Sequence, residues 1–244
     1  MIVHLPAGKL TTIHFRNSTT MFHRLTTHPG LTQQQHRDLP GLSNTDLSQL
    51  KAQVLGQLRN LNPAALAYGT AFHAATLEPA TYQRTDERGI RWAELEQLAR
   101  QVRRQRFCRD LLYRGTPELT HTALYLETGL LVKVRPDLLV RSPAGRRLTL
   151  LDFKTTSCRD QTQFLAAIEQ YDYDRQAAFY LDVLQADRFL IVGVQKKAPH
   201  AIWVFELTTA PLLLEQGRKK YRRLLRAHAA QLPAHQPAAL PLAA

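Results

Sequence analysis

Cysteine is scarce in this chain. Only Cys108 and Cys158 occur among 244 residues, and they lie far apart. With no CxxC spacing they form neither a zinc nor an iron–sulfur set, and two such thiols fit a reducing compartment. No apolar run reaches the roughly 18 residues that a bilayer span needs. The first ten residues, MIVHLPAGKL, lack a basic stretch followed by an apolar one, so no secretory signal is expected. No internal repeat is visible. Acidic residues are also in short supply, with 20 Asp and Glu against 32 Lys and Arg. A soluble cytoplasmic protein with no membrane association is the expectation.

The deficit of acid leaves a net charge of +12, which favours a polyanionic partner, nucleic acid first and an acidic membrane surface second. Apolar residues make up 44% of the chain, enough for a globular core. The length suits one domain, or one domain with a small appendage.

Residues 1–40 are rich in His, Thr, Gln and Pro with weak periodicity, and read as an irregular arm with room for short strands. Ser43, with Asp46 three places on, forms a capping-box variant that opens a helix. Asn62-Pro63 breaks it, and a second helix runs over about 64–77, ending at Glu78-Pro79. Residues 91–113 read as one long Arg-rich helix, with Leu95, Leu98 and Val102 at helical spacing. Residues 121–127, 130–135, 138–141 and 148–153 read as strands of an antiparallel meander, with turns at Thr128-Gly129 and Pro143-Ala144-Gly145. Helix returns over 160–186, strands over 188–195 and 201–207, and a basic helix over 212–230. The tail from 233 is Ala- and Pro-rich and expected to fray. This order predicts an α/β (α+β) core, a mixed central sheet flanked by helices, within a domain spanning 41–232.

The chemistry concentrates in two places. In a strand, side chains alternate faces, so Leu148, Leu150, Asp152 and Lys154 share one face. An acid and a lysine closing an apolar run belong near a sheet rim rather than in a core. Asp137 lies one turn upstream, where Pro136 ends regular pairing. Two carboxylates on adjacent strands repel unless a cation sits between them, and Mg²⁺ takes one or two carboxylates together with waters and phosphate oxygens. Such an ion polarises a phosphodiester, and a neighbouring lysine orients water and offsets charge. The competing reading is an ordinary Asp–Lys pair at a strand end.

Pro136-Asp137 followed by Asp152-Phe153-Lys154 resembles the PD-(D/E)XK nuclease pattern, continued here by Thr155-Thr156. Gly69-Thr70-Ala71-Phe72-His73 resembles the GxxxH helix of the RecB-like branch, and Gln176-Ala177-Ala178-Phe179-Tyr180 resembles its QxxxY helix. Residues 42–47 resemble the start of the exonuclease VIII (RecE) nuclease domain and its phage-borne relatives. The resemblance covers about 42–207 and implies a restriction-endonuclease-like core. It implies His73, Asp137, Asp152 and the Phe153 carbonyl as ligands of Mg²⁺, with Mn²⁺ as a substitute ion. It also implies Lys154 handling the water, and Gln176 and Tyr180 bordering the site. Glu118 is a looser candidate for an added acid. Taken singly, His73 also reads as a hydrogen-bonded helix histidine, Tyr180 as core, Gln176 as a helix-to-loop bond, and Gly69 as an allowance for close packing.

The chain departs from parts of that branch. It has no four-cysteine set and no GxxxxGK[ST] loop, so a nuclease domain without a helicase motor is expected. Two basic clusters supply phosphate tracks: Arg100, Arg103, Arg104, Arg106 and Arg109, and Arg218, Lys219, Lys220, Arg222, Arg223 and Arg226. The alternative is a pair of solvated helix faces. The resulting expectation is an exonuclease acting on duplex DNA ends to expose single strands for an annealing protein, with a homo-oligomer by analogy. An endonuclease on the same core and a non-catalytic DNA-binding accessory module are the alternatives.

Overall fold

The computed structural model describes residues 21–57 and 62–232. The first half of the expected arm and the whole expected tail lie outside the described residues. The described part of the arm is regular. Strand β1 (Phe22–His28) pairs antiparallel with β3 (Thr120–Tyr125), and helix α1 (Gln33–Asp38) starts on a Thr32–Gln35 capping box. Phe22 is buried against the Tyr125, Phe179 and Tyr221 rings, so this strand belongs to the core. Alternation in β1 gives a weak signal because its remaining side chains are largely outward.

Helix α2 (Asn44–Val54) has the expected reciprocal cap, Ser43 Oγ accepting from the Asp46 N–H and Asp46 Oδ2 accepting from the Ser43 N–H. Helix α3 (Pro63–Leu77) starts on an Asn62 cap with Pro63 in its first turn. The long Arg-rich helix is two helices, α4 (Trp92–Arg104) and α5 (Arg106–Arg114). Gln105 turns extended between them and caps α5 by accepting the Cys108 N–H at 2.7 Å. The expected helix over 160–186 also divides, into α6 (Gln161–Gln170) and α7 (Tyr173–Leu184). Asp172 adopts a left-handed conformation at the junction, φ 56°.

The meander divides as well. Strands β3 and β4 (Leu130–Val134) join β1 in a three-stranded sheet ordered β1-β3-β4. Strands β5 (Leu138–Arg141) and β6 (Leu148–Thr156) enter a separate five-stranded sheet. Its other members are β2 (Thr116–Pro117), β7 (Arg188–Gln195) and β8 (Ile202–Glu206), in the order β2-β5-β6-β7-β8. Arg135-Pro136-Asp137 is the passage between sheets. β6 and β7 are parallel, joined through α6 and α7, and the other neighbours are antiparallel, so the sheet is mixed as expected.

Side-chain alternation sorts the sheet's two faces. Leu148, Leu150, Phe189, Ile191 and Phe205 pack toward α6, α7 and α8 (Pro211–Gln231). Leu151, Phe153, Leu190, Val192 and Val204 pack toward α3, α4 and α5. Helices α7 and α8 approach so closely that a Cβ on Gly217 would stand 2.2 Å from the Asp174 carbonyl oxygen, so only glycine fits there. This is a restriction-endonuclease-like mixed α/β architecture. Among the described residues, no helix is long and apolar enough to cross a membrane.

Candidate active site

The two carboxylates come together through strand register. Leu138 pairs with Leu151, and continuing one step sets Asp137 opposite Asp152 on the same face. Both side chains are buried. Asp137 Oδ2 accepts the Phe153 N–H at 2.6 Å, which fixes its carboxylate against β6. Asp152 Oδ1 accepts from Gln176 Nε2 at 2.6 Å. Its Oδ2 lies 2.5 Å from Lys154 Nζ, an ion pair. Strand alternation therefore does deliver Lys154 to the face that carries Asp152.

From the opposite side, α3 brings His73 Nε2 to 2.9 Å of the Phe153 carbonyl oxygen and 3.5 Å of Asp137 Oδ2. Gln176 and Tyr180, one turn apart on α7, are both buried beneath Asp152. Burial first, and the adjacent Asp152 charge second, push the Tyr180 hydroxyl well above the usual tyrosine range. Every residue expected at the centre thus converges on the rim shared by β5, β6, α3 and α7.

Electrostatics separate the acids from the lysine. Burial raises the Asp137 carboxyl to about 7, against the opposing pull of His73; the Asp152 charge adds to the rise, while Lys154 and the Phe153 N–H oppose it. For Lys154, burial works against the charged form, but Asp152 and then Asp137 outweigh it and hold the ammonium protonated above the usual lysine range.

Of these groups, His73, Phe153 and Lys154 line a cleft of about 700 Å³ whose walls also include Gly69, Glu118, Arg135 and Tyr173. A Cβ on Gly69 would meet nothing within 4 Å, so this glycine keeps the α3 wall low rather than permitting close packing. Glu118 does reach the cleft, where its carboxylate accepts from Arg135 Nη2 at 2.6 Å. Tyr173 has no counterpart in the sequence reading. Its ring centroid lies 5.1 Å from Lys154 Nζ, a cation–π contact. The available signal was spacing: Tyr173, Gln176 and Tyr180 are three and four residues apart and share a face of α7.

The donor set suits a hard divalent cation. Two facing carboxylates and a backbone carbonyl are oxygen ligands of the type Mg²⁺ takes, and Asp137 stays strained toward its neutral form even with Lys154 and His73 nearby. His73 Nε2 and the Phe153 carbonyl face each other, so ligation by either requires that mutual contact to open. Among the described residues, no three His, Cys, Asp or Glu side chains group as a metal-holding cluster.

The basic clusters fare differently. Arg100, Arg103, Arg104 and Arg109 are exposed and line a second cavity. On α8, half of the expected track is engaged by acids distant in sequence. Arg218 forms a two-pronged pair with Asp182, Lys220 pairs with Asp172 and Asp174, and Arg226 pairs with Glu127. Lys219 and Arg223 stay exposed, and Arg222 is half-buried beside Tyr221.

The family described as "PDDEXK-like domain of unknown function (DUF3799)" matches residues 48–237. No curated protein matches the chain. Among solved structures, a "putative exonuclease" from Eubacterium rectale is similar at 15% identity and a TM-score of 0.56, over 83% of this chain and 88% of that one. That likeness shows the fold. A phage-related exonuclease from Haemophilus somnus 129PT aligns over 79% of this chain and 99% of its own, at 10% identity and a TM-score of 0.34, too low to carry an argument.

Proposed function

Since the chain belongs to the PDDEXK-like family of unknown function (DUF3799), we propose that it is a metal-dependent deoxyribonuclease. More narrowly, we read it as an exonuclease that hydrolyses phosphodiester bonds at the ends of linear duplex DNA. The observation that carries this reading is the Asp137–Asp152 pair, one acid just before β5 and the other on β6, with Lys154 on Asp152 lining an open cleft.

In this reading Asp137, Asp152 and the Phe153 carbonyl hold Mg²⁺, with His73 as a further ligand and Mn²⁺ as a substitute ion. When bound, such an ion polarises a phosphoryl oxygen and lowers the pKa of a bound water. Lys154 stays cationic at the cleft, where it orients the attacking water and offsets charge gathered in the transition state. Gln176 fixes the Asp152 carboxylate, and Tyr180 packs beneath both. Arg100, Arg103, Arg104, Lys219, Arg222 and Arg223 neutralise the DNA backbone, whereas Arg218 and Lys220 serve structure first because acids already hold them. The Eubacterium rectale protein of similar fold is described as a "putative exonuclease", and on that description the exonuclease is taken ahead of the endonuclease. Homo-oligomerisation and handover of the exposed strand to an annealing protein extend the same reading.

The test compares linear with covalently closed circular duplex DNA, in Mg²⁺ or EDTA, beside Asp152→Ala. Mg²⁺-dependent loss of linear DNA alone is the expected result. Cutting of the circle makes the protein an endonuclease. Binding without cutting, unchanged by Asp152→Ala, overturns the nuclease reading.

A further inference from the structure

The cavity at the α4–α5 elbow measures about 490 Å³ and is open to solvent. Arg100, Arg103 and Arg104 stand on one side of α4, at spacings of three and four residues, and Arg109 and Tyr113 stand one turn apart on α5. All five line the cavity. The acids nearest in sequence are already engaged: Glu96 by Arg84 at 2.7 Å, and Asp110 by Arg109 at 3.5 Å. Among the described residues, no acid pairs with Arg100, Arg103 or Arg104.

Tyr113 is the sharper signal. It is 91% exposed, against buried Cys108 and Leu111 on the inner face of the same helix. An aromatic ring held fully outward on a well-packed helix has no part in the core, and here it lines the same cavity as four arginines. Pro117 lines this cavity and the catalytic cleft alike, so the two spaces are neighbours.

We propose that the elbow is a lane for single-stranded nucleic acid leading to or from the cleft. The arginines take successive phosphates, and the Tyr113 ring gives a base a face to stack on. Aromatic platforms set in basic grooves bind single strands in this way, with little dependence on sequence. Paired bases in a duplex are already stacked on each other, so the lane prefers a strand that has been unpaired. This inference rests on the nuclease reading for its link to the cleft, but the binding it predicts is measured without catalysis.

The test is fluorescence anisotropy in EDTA with the full chain and two labelled probes, a blunt duplex and the same duplex carrying an oligothymidine tail. The wild-type protein is expected to bind the tailed probe about ten-fold more tightly, the scale of one base stacked on an aromatic side chain. Tyr113→Ala should abolish that preference, and Tyr113→Phe, which keeps the ring, should retain it. Tyr113 is too exposed for either change to threaten folding. Equal binding of the two probes by wild type, or an unchanged preference in Tyr113→Ala, overturns the lane. Equally tight, Tyr113-dependent binding of polyglutamate shows an acidic-peptide surface instead and also overturns it. A Mg²⁺ cleavage assay on the same preparation separates the two ideas. Cleavage without tail preference sinks the lane alone, and tail preference without cleavage sinks the nuclease reading alone.

Discussion

Asp137 Oδ2 accepts the Phe153 N–H at 2.6 Å, so a side chain just before β5 is held by the backbone of the strand that carries Asp152. The two acids are consequently locked at close quarters in a buried place. The fold tolerates that arrangement at a cost in stability.

The cost predicts the response to Asp137→Asn. The folded-state pKa of Asp137 is raised to about 7, so the native state binds more protons than the unfolded chain between roughly pH 4 and pH 7. Its contribution to stability therefore falls as pH rises through that window. At pH 8, Asp137→Asn should raise the melting temperature by about 2–4 °C for each kcal/mol relieved, while abolishing nuclease activity. Mg²⁺ should raise the melting temperature of the wild type and not of the variant, as thermal denaturation would show.

Gln176→Ala removes the donor on Asp152 Oδ1. Loss of a group that orients a metal ligand costs about 10–100-fold in metal affinity or activity. The expected signature is a higher Mg²⁺ concentration for half-maximal cleavage, with Gln176→Glu failing to rescue because it adds a third acid. An unchanged Mg²⁺ dependence would contradict this role.

On α8, adjacent basic residues should behave oppositely. Lys220→Ala strands the fully buried Asp174 and should cost about 1–3 kcal/mol, seen in the urea midpoint. Lys219→Ala and Arg223→Ala touch no such partner and should leave the midpoint unchanged while weakening DNA binding and reducing its salt dependence. Equal stability losses from Lys219 and Lys220 would refute this division.

Two histidines set the acid limit of the β1–β3–β4 region. His36 sits against Thr120 Oγ1, and burial, then the charges of Arg135 and Lys133, lower its pKa to about 4. Burial, then His28 and Arg141, lower His121 to the same value. Both are neutral in the native state and charge more readily when unfolded. Their contribution is fully present above about pH 6.5 and is lost as pH falls toward 4. His36→Gln/His121→Gln should flatten the melting temperature over that interval relative to wild type.

Local features were legible in the sequence because their partners lie within one turn or one strand. The Ser43–Asp46 box, the Asn62-Pro63 start and the shared face of Asp152 and Lys154 each follow from backbone geometry that repeats every few residues. The helix breaks at Gln105 and Asp172 were hidden, since neither residue is a glycine or proline; a side-chain cap holds the first, and ion pairs of Asp172 with Lys51 and Lys220 hold the second in its left-handed φ. Among the site residues, Asp137, Asp152, Lys154, His73, Gln176 and Tyr180 were grouped through the resemblance, but their mutual contacts were not legible.

The sequence by itself determined the alternation that puts an acid and a lysine at the end of an apolar strand, the excess of positive charge, and the helices that carry His73 and Gln176. Tertiary structure decided the rest. Register set Asp137 opposite Asp152, helix packing placed Tyr173 beside Lys154, and acids on α7 and in the β3–β4 turn engaged half of the basic run on α8. The physical reason is range. Alternation and capping act over a few residues, whereas the charge a residue feels depends on every group within a few ångströms, however distant in the chain.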